Sequence, residues 1–291
     1  SAVSQQLAAL ERETGLALID RGRRPLRPTP AGAVLLPHAR HVLGAAGAAE
    51  GALADLRGGR RTLRLAAFTS ALSSFVPAAV RDLRRASADL VVRVLQLETR
   101  EAIERLRRGE ADLAVVHHMP GVAVPDTAGL RGRHLLDDHL SVVVPERHRL
   151  ARRDEVRMAD LDGEPLVLPR RETPAGRFRA VVEQLCADAG FTPTVAYEID
   201  DLPAAQAFAA VGIAIVPMHG LTLGTVPAGA VTRPLAERPA GSRRIEALVP
   251  AASDPRVEEL LEHLAVSARR HARRAGPTRP GGRGGAPPRG A

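Results

Sequence analysis

The alternation of short apolar segments with helical patterns between residues 62 and 268 constrains the fold of this chain most strongly. In the first part of this region, apolar residues recur at strand and helix spacings in turn. The predicted elements are strands 63–68, 90–97 and 112–116 and helices 72–85 and 101–108. A β-α-β-α-β order predicts a parallel sheet with right-handed crossovers.

A second unit of the same kind follows and makes the expected fold class α/β with two lobes. Its predicted strands are 140–144, 166–168, 194–198, 213–216 and 244–249, and its predicted helices are 176–189, 203–211 and 255–270. We expect the first lobe to comprise about 62–135 and 236–268, and the second about 136–235. Two such lobes enclose a ligand cleft at the carboxyl ends of their strands.

The positive charge is concentrated at the two ends of the chain. Residues 1–61 carry nine arginines against five acidic residues, residues 62–268 carry 25 against 28, and residues 269–291 carry seven against none. This distribution predicts that contact with a polyanion belongs to the ends. Because lysine is absent, the abundance of arginine alone does not identify a nucleic-acid binder. Residues 269–291 are expected to form a disordered basic tail.

Several classes of protein are disfavoured by composition and motifs. No apolar run approaches the ~18 residues of a membrane span, and no secretion signal opens the chain, so we expect a cytoplasmic protein without a membrane partner. Aromatic residues make up only 2% of the chain, which disfavours single-stranded nucleic acid as a ligand. No motif of hydrolases, metalloproteases or nucleotide-binding enzymes occurs, so we expect no enzyme activity, cofactor or metal. Cys186 lies within a predicted apolar helix, which favours a buried, unreactive thiol.

The first 29 residues combine an amphipathic helix with a basic turn. On the helix, Ser4 and Gln5 lie off the apolar face, and glutamine side chains bind adenine edges in duplex DNA. The turn carries Arg21, Arg23, Arg24 and Arg27, which suit a phosphate backbone or a minor groove. Each feature taken alone is also common on protein surfaces.

The order of these residues, however, is specific. Ser4-x-x-Leu7-x-x-Leu10-Glu11-x-x-x-Gly15-x-x-Leu18-Ile19-x-Arg21, followed by Thr29-Pro30-Ala31-Gly32, resembles the second half of the winged helix-turn-helix of LysR-type transcriptional regulators.

This resemblance implies a recognition helix in the major groove and a wing. It assigns Ser4, Gln5, Arg21, Arg23, Arg24, Arg27 and Thr29 to DNA, and Leu7, Leu10 and Leu18 to the core. Ile19 and Pro28 stand where the family usually has Phe and Leu. The first helix and most of the second helix of that motif have no counterpart here. The alternative is therefore a stand-alone cytoplasmic small-molecule-binding protein that has lost DNA binding.

Residues 30–57 are predicted to form one long helix, followed by a hinge that ends at residue 61. Its apolar positions form a seam at Val34, Leu35, Val42, Leu43, Ala46, Ala49, Leu53 and Leu56. Each interior glycine costs about 1 kcal/mol relative to alanine, so the helix needs a packing partner. The resemblance implies that this partner is the same helix of a second subunit, in a homodimer or homotetramer. The alternative is a helix packed on its own domain.

Candidate effector-binding residues follow the predicted strands. They are Thr69, Ser70, Thr99, His117, His118, Arg170, Asp200, Met218 and His219. Backbone N–H groups at the helix starts after Ser70 and Thr99 favour an organic anion. Each of these residues also has a plain structural interpretation as a helix cap or a surface charge. Adjacent histidines on a strand point to opposite faces, which argues against a shared metal ion. A small-molecule enzyme on the same scaffold is the remaining alternative.

Overall fold

The computed structural model describes residues 2–22, 26–58, 61–123, 125–224, 226–237 and 240–274. The helices are α1 (Ala2–Thr14), α2 (Pro30–Gly58), α3 (Thr69–Leu72), α4 (Val76–Ala86), α5 (Thr99–Arg107), α6 (Gly176–Asp188), α7 (Leu202–Ala210) and α8 (Pro255–Arg274). The strands are β1 (Ile19–Asp20), β2 (Arg27–Pro28), β3 (Arg61–Ala67), β4 (Leu90–Gln96), β5 (Leu113–His118), β6 (Leu130–Asp138), β7 (Leu140–Pro145), β8 (Pro165–Leu168), β9 (Thr194–Glu198), β10 (Val216–His219), β11 (Ala230–Pro234) and β12 (Arg243–Pro250).

The first lobe is built on a five-stranded sheet of order β4-β3-β5-β12-β6. β3 runs parallel to β4 and β5, as the β-α-β-α-β pattern predicts. β12 returns from the second lobe and pairs antiparallel with β5 and β6, so the complete sheet is mixed. Helices α4 and α8 cover one face, where Phe75, Leu83 and Leu261 are at most 1% exposed.

The second lobe contains two smaller sheets. β7 lies between β10 and β11 and is antiparallel to both. β8 and β9 form a parallel pair, which is joined to the strand region before β10 by a bridge between Leu166 and Ile215. The polypeptide enters this lobe after β6 and leaves it before β12. The predicted two-lobed α/β fold is confirmed.

The predicted helix 72–85 is observed as α4, which begins at Val76, and a separate short helix, α3, precedes it. Ser74 Oγ donates to the carbonyl of Ser70 at 2.6 Å, which turns the backbone after α3. Pro77 has no N–H for a helical hydrogen bond but fits the first turn of α4. The apolar spacing was therefore correct, while the predicted start of the helix was wrong by four residues.

Two strands and the C-terminal end of the sensor region also differ from the prediction. β6 and β11 were not predicted, and α8 continues to Arg274. Residues 269–274 are helical and do not belong to a disordered tail. Residues 275–291 lie outside the described part of the chain.

Within the described residues, no helix combines the length and apolar character needed to cross a bilayer. The same residues contain no group of three or more His, Cys, Asp or Glu side chains positioned around a metal. Cys186 is buried, and its Sγ lies 3.8 Å from Met158 Sδ. Burial raises the pKa of this thiol to about 11, which fits the predicted unreactive cysteine.

Candidate functional site

Helix α1 presents the side chains proposed to read DNA. Ser4 and Gln5 are exposed on it. Leu18, just beyond the helix, is 5% exposed and is a core residue as predicted. The prediction was wrong for Leu10, which is 38% exposed, and Val3 on the same face is 72% exposed. The apolar face of α1 is therefore only partly covered in the single chain.

Glu11 fastens α1 to the segment that follows it. Its Oε1 accepts hydrogen bonds from the backbone N–H groups of Leu18 at 2.8 Å and Ile19 at 3.2 Å. Its Oε2 accepts from Arg21 Nη2 at 2.8 Å. These bonds, led by the one from Leu18, hold the pKa of Glu11 below its ordinary value. Arg21 therefore braces the motif, and its side chain is still 60% exposed.

The described residues on either side of the basic turn form a short β-hairpin. β1 and β2 pair antiparallel, with Asp20 opposite Arg27. The Gly22 N–H donates to Asp20 Oδ1 at 2.9 Å and starts the turn. Arg27 is exposed on the second strand. The other two predicted DNA contacts of the turn, Arg23 and Arg24, lie outside the described residues.

Thr29 joins the hairpin to α2. Its Oγ1 donates to the Ala17 carbonyl at 2.6 Å and accepts from the Gly32 N–H at 3.1 Å, so Thr29 caps α2. A Cβ on Gly32 would lie 2.0 Å from the Leu18 carbonyl oxygen. The Thr-Pro-Ala-Gly motif therefore lets the first turn of α2 pass in direct backbone contact with the segment that enters the hairpin. This crossing accounts for Thr29 structurally, and its contact with DNA stays a prediction.

In the sensor region, Thr99 and His117 meet where the first lobe faces the second. Thr99 Oγ1 accepts from the His117 backbone N–H at 3.1 Å and donates to the His117 carbonyl oxygen at 3.2 Å. The His117 ring makes an edge contact with Phe68, with centroids 4.8 Å apart. Its Nδ1 is buried without a hydrogen-bond partner among the described residues. The start of α5 and the end of β5 are thus joined by polar groups, and His117 Nδ1 is buried beside them.

A buried ion pair lies next to this surface. Arg243 Nε donates to Asp138 Oδ2 at 2.8 Å, and Arg243 Nη2 donates to Ser70 Oγ at 2.7 Å. Asp138 Oδ1 accepts from the Leu221 backbone N–H at 2.9 Å. Asp138 ends β6 and Arg243 begins β12, so this pair fastens together the two connections between the lobes. The Arg243 guanidinium also lies 5.1 Å from the centroid of the Phe68 ring.

The charge of Arg243 reaches the surface formed by Thr99 and His117. The pKa of Glu98 is lowered, first by the imidazole of His117 and further by the charges of Arg243 and Arg177. The pKa of His117 is lowered mainly by burial and also by Arg243, although Glu98 opposes this shift. Arg177 belongs to α6 of the second lobe, so cationic groups of both lobes act on the same place. The carboxylates of Glu98 and Asp138 lie among these cations, so charges of both signs meet here.

His219 lies on the second-lobe side of the same region. It is 4% exposed, and its Nε2 is 3.1 Å from the Gly241 carbonyl oxygen, to which it donates. Its ring centroid is 5.0 Å from that of Phe178. Burial, followed by the charge of Arg243, holds the pKa of His219 well below its ordinary value. His219 is therefore a neutral hydrogen-bond donor in the wall between the lobes.

Four predicted effector residues are not brought to this place. His118 points away and its Nε2 lies 3.2 Å from Glu246 Oε2. Arg170 and Asp200 pair with each other at 2.7 Å. β10 was predicted to end at residue 216 but continues to His219, so Met218 lies within the strand. Met218 is 1% exposed in the second-lobe core, and its proposed effector contact has no support in the structure.

Thr69 lies at the edge of the site. It is exposed at the start of α3, and its Oγ1 accepts from Gln96 Nε2 at 3.1 Å. The residues that sequence reasoning missed are Phe68, Glu98, Asp138 and Arg243. The rule of taking polar residues after predicted strands could not identify Asp138, because Asp138 ends β6, which was not predicted. Three surface pockets lie away from this site. They are lined by Arg100 and Arg107, by Val76 and Val80, and by Arg171 and Phe191.

The buried neutral histidines predict a pH dependence of stability. The pKa values of His117 and His219 are depressed in the folded chain, so the unfolded chain binds more protons below about pH 6.5. Stability is then complete above that pH and decreases as the pH falls, by up to about 1.4 kcal/mol per pH unit for each histidine. Urea unfolding between pH 5 and 8 measures this slope. His219→Gln should flatten it, while the same change at exposed His38 should not; equal slopes in both variants would contradict the assignment.

Two protein-family models match the chain. The LysR substrate binding domain matches residues 56–268, which include both lobes. The bacterial regulatory helix-turn-helix protein, lysR family, matches residues 1–33, which include α1, the hairpin and the Thr-Pro-Ala-Gly crossing. The two regions derived above from sequence and geometry thus coincide with two parts of one family.

Individual relatives agree with the family models. The HTH-type transcriptional regulator ShiR of Corynebacterium glutamicum (strain R) is 30% identical over 230 residues, 78% of this chain and 76% of the relative. The transcriptional dual regulator GltC of Bacillus subtilis (strain 168) is 27% identical over 238 residues, 81% and 77% of the respective chains.

The fold is shared with solved structures. Full-length BenM superimposes with a TM-score of 0.61 at 23% identity, over 96% of this chain and 89% of that one. Full-length CbnR in complex with its target DNA gives 0.59 at 21% identity, over 91% and 89%. With the sensor domain, the helix-turn-helix segment and these relatives in agreement, the chain belongs to the LysR family of transcriptional regulators.

Proposed function

We propose that this chain binds duplex DNA through α1 and the hairpin, and binds a small organic anion between the lobes of its sensor domain. It acts as a one-component regulator in the cytoplasm, with no catalytic step. The observation that carries the proposal is the chain of contacts that links Ser70, Thr99 and His117 to the buried guanidinium of Arg243, beside the connections between the lobes.

The DNA-binding half is supported by the exposed side chains of α1 and the hairpin. Ser4 and Gln5 are suited to base edges or phosphate, and Arg21 and Arg27 to the phosphate backbone. Glu11 holds the helix and the hairpin in a fixed relation. CbnR, which shares the fold, is known as a complex with its target DNA.

The anion-binding half is supported by the charges around the cleft. Arg177 and Arg243 act on it from the two lobes, and the N-terminus of α5 opens towards it. The BenM effector-binding domain, with the same fold, is known with benzoate as its effector. A carboxylate is therefore the ligand class that the site favours.

Dimerisation through α2 is supported by its uncovered apolar side chains. Val34, Val42 and Leu53 are 69%, 67% and 60% exposed in the single chain. They belong to the apolar seam predicted from the sequence, and a second α2 would bury them. A dimer presents two recognition helices to successive half-sites of DNA.

Thr99→Val is expected to weaken anion binding by about tenfold, because it removes the hydroxyl that holds His117 beside the start of α5. Calorimetric titration of the intact chain with a series of carboxylates, beginning with benzoate, measures this loss. Thr192→Val, an exposed change in the second lobe, is the matched control. If no carboxylate binds the wild type, the proposed ligand class is wrong; if Thr99→Val binds as tightly as wild type, the placement of the site is wrong.

A further inference from the structure

The linker helix α2 touches the sensor domain through two glycines. A Cβ on Gly44 would lie 2.7 Å from the Arg107 carbonyl oxygen, and a Cβ on Gly109 would lie 2.3 Å from the Gly44 carbonyl oxygen. Gly109 also has a φ of +66°, which suits glycine at the end of α5. The backbones of α2 and of the α5 terminus are therefore in direct contact, with no side chain to absorb a displacement.

The turn that meets α2 is itself well fixed. The Gly109 N–H donates to the Leu106 carbonyl at 3.1 Å, and the Glu110 N–H donates to the Arg105 carbonyl at 2.9 Å. Arg107 Nη1 donates to Asp126 Oδ2 at 2.9 Å. A movement of α5 would therefore carry this turn with it.

Helix α5 joins this contact to the cleft. Thr99 at its first position holds His117 in the cleft, as described above. Ala102, Ile103 and Leu106 are at most 3% exposed and pack on the sheet. Nine residues of helix span roughly 13 Å, so a single rigid element connects the proposed ligand site to the linker helix.

We propose that α5 transmits the state of the cleft to the DNA-binding segment through the contact between Gly44 and Gly109. This inference rests on the proposed function, because it supplies the route by which an anion at Thr99 would alter the position of α2. Closely packed elements shift between discrete arrangements and do not deform smoothly. The coupling is reciprocal, so a change at Gly44 also alters the cleft.

The chain offers a matched pair of glycines for the test. Gly47 lies one turn further along α2, and a Cβ there would be 3.8 Å from the Arg108 carbonyl oxygen, an ordinary contact. Gly44→Ala must separate the two backbones, whereas Gly47→Ala changes helix propensity equally and leaves them in place. At the other end of α5, Thr99→Val removes the bonds to His117, and Thr99→Ser keeps them.

Amide hydrogen exchange on the full chain, without effector or DNA, compares these four variants. We expect Thr99→Val to speed exchange in residues 40–48 by about threefold or more, and Gly44→Ala to do the same in residues 99–118. Thr99→Ser and Gly47→Ala should leave both segments unchanged. Exchange in residues 165–198 of the second lobe reports any general loss of folding.

The proposal is overturned if each variant changes exchange only around its own position. If Thr99→Val speeds exchange throughout the chain, that variant is simply less stable, and Gly44→Ala becomes the decisive variant. Unchanged exchange in residues 99–118 of Gly44→Ala then overturns the proposal. Because no ligand is used, this failure leaves the proposed anion and DNA sites untouched. Conversely, failure of carboxylates to bind would leave the exchange result intact.

Discussion

Replacing Arg243 by methionine is expected to lower the free energy of unfolding by about 3–5 kcal/mol. Asp138 is 3% exposed, and without Arg243 its carboxylate would keep, among the described residues, the hydrogen bond from the Leu221 N–H alone. A buried carboxylate without its counter-ion bears most of its desolvation cost. Ser70 would also lose the bond that Arg243 donates to its hydroxyl. Urea unfolding followed by circular dichroism measures the loss.

Two further variants separate the ion pair from the loss of an arginine. Arg244→Met, at the next and 58% exposed side chain, should change stability by less than about 0.5 kcal/mol. The double variant Asp138→Leu with Arg243→Met should recover part of the loss, because no unpaired buried charge remains. If Arg243→Met and Arg244→Met are equally stable, the pair does not hold the two connections between the lobes.

The sequence predicted the elements of the first lobe because their apolar periodicity is strong. β3, β4, β5 and α5 lie where the pattern placed them, within one or two residues. β6 was missed because it is an edge strand whose first half, residues 130–134, has only one large apolar side chain, Leu130, beside Arg131, Gly132, Arg133 and His134. β12 was predicted, but its antiparallel position between β5 and β6 was not. That position depends on the chain returning from the second lobe, which the local apolar pattern does not indicate.

The site was predicted in part, for a similar reason. Placing polar residues after strands identified Ser70, Thr99 and His117, because helix starts meet at one edge of a parallel sheet. It failed to find the pairing of Asp138 with Arg243, which are 105 positions apart and adjoin only when both connections between the lobes form. It included Met218 because β10 was expected to end two or three residues earlier. The prediction was therefore limited by where the strands end near the boundary between the lobes, and less by the choice of residue types.

Replacing Arg21 and Arg27 together by glutamine is expected to weaken binding to duplex DNA by on the order of 100-fold. Both side chains are exposed on the hairpin that follows α1, where a phosphate backbone would pass. Each lost phosphate contact makes the dependence of log affinity on log salt shallower by about 0.9. A dimer that loses both arginines in each subunit should therefore show a slope shallower by roughly 3–4.

Fluorescence anisotropy with a labelled 30-base-pair duplex, titrated between ~50 and ~200 mM salt, measures both quantities. The operator need not be known, because the electrostatic contribution is independent of sequence. Arg152→Gln, an exposed change in the second lobe, is the matched control. The single variants separate a loss of phosphate contacts from a change in the hairpin. Arg21→Gln also removes the hydrogen bond to Glu11 and should loosen the hairpin, whereas Arg27→Gln should change only the salt dependence of binding. If Arg27→Gln binds with the slope of Arg152→Gln, the hairpin does not contact DNA phosphates, and the path of the duplex must lie elsewhere on α1.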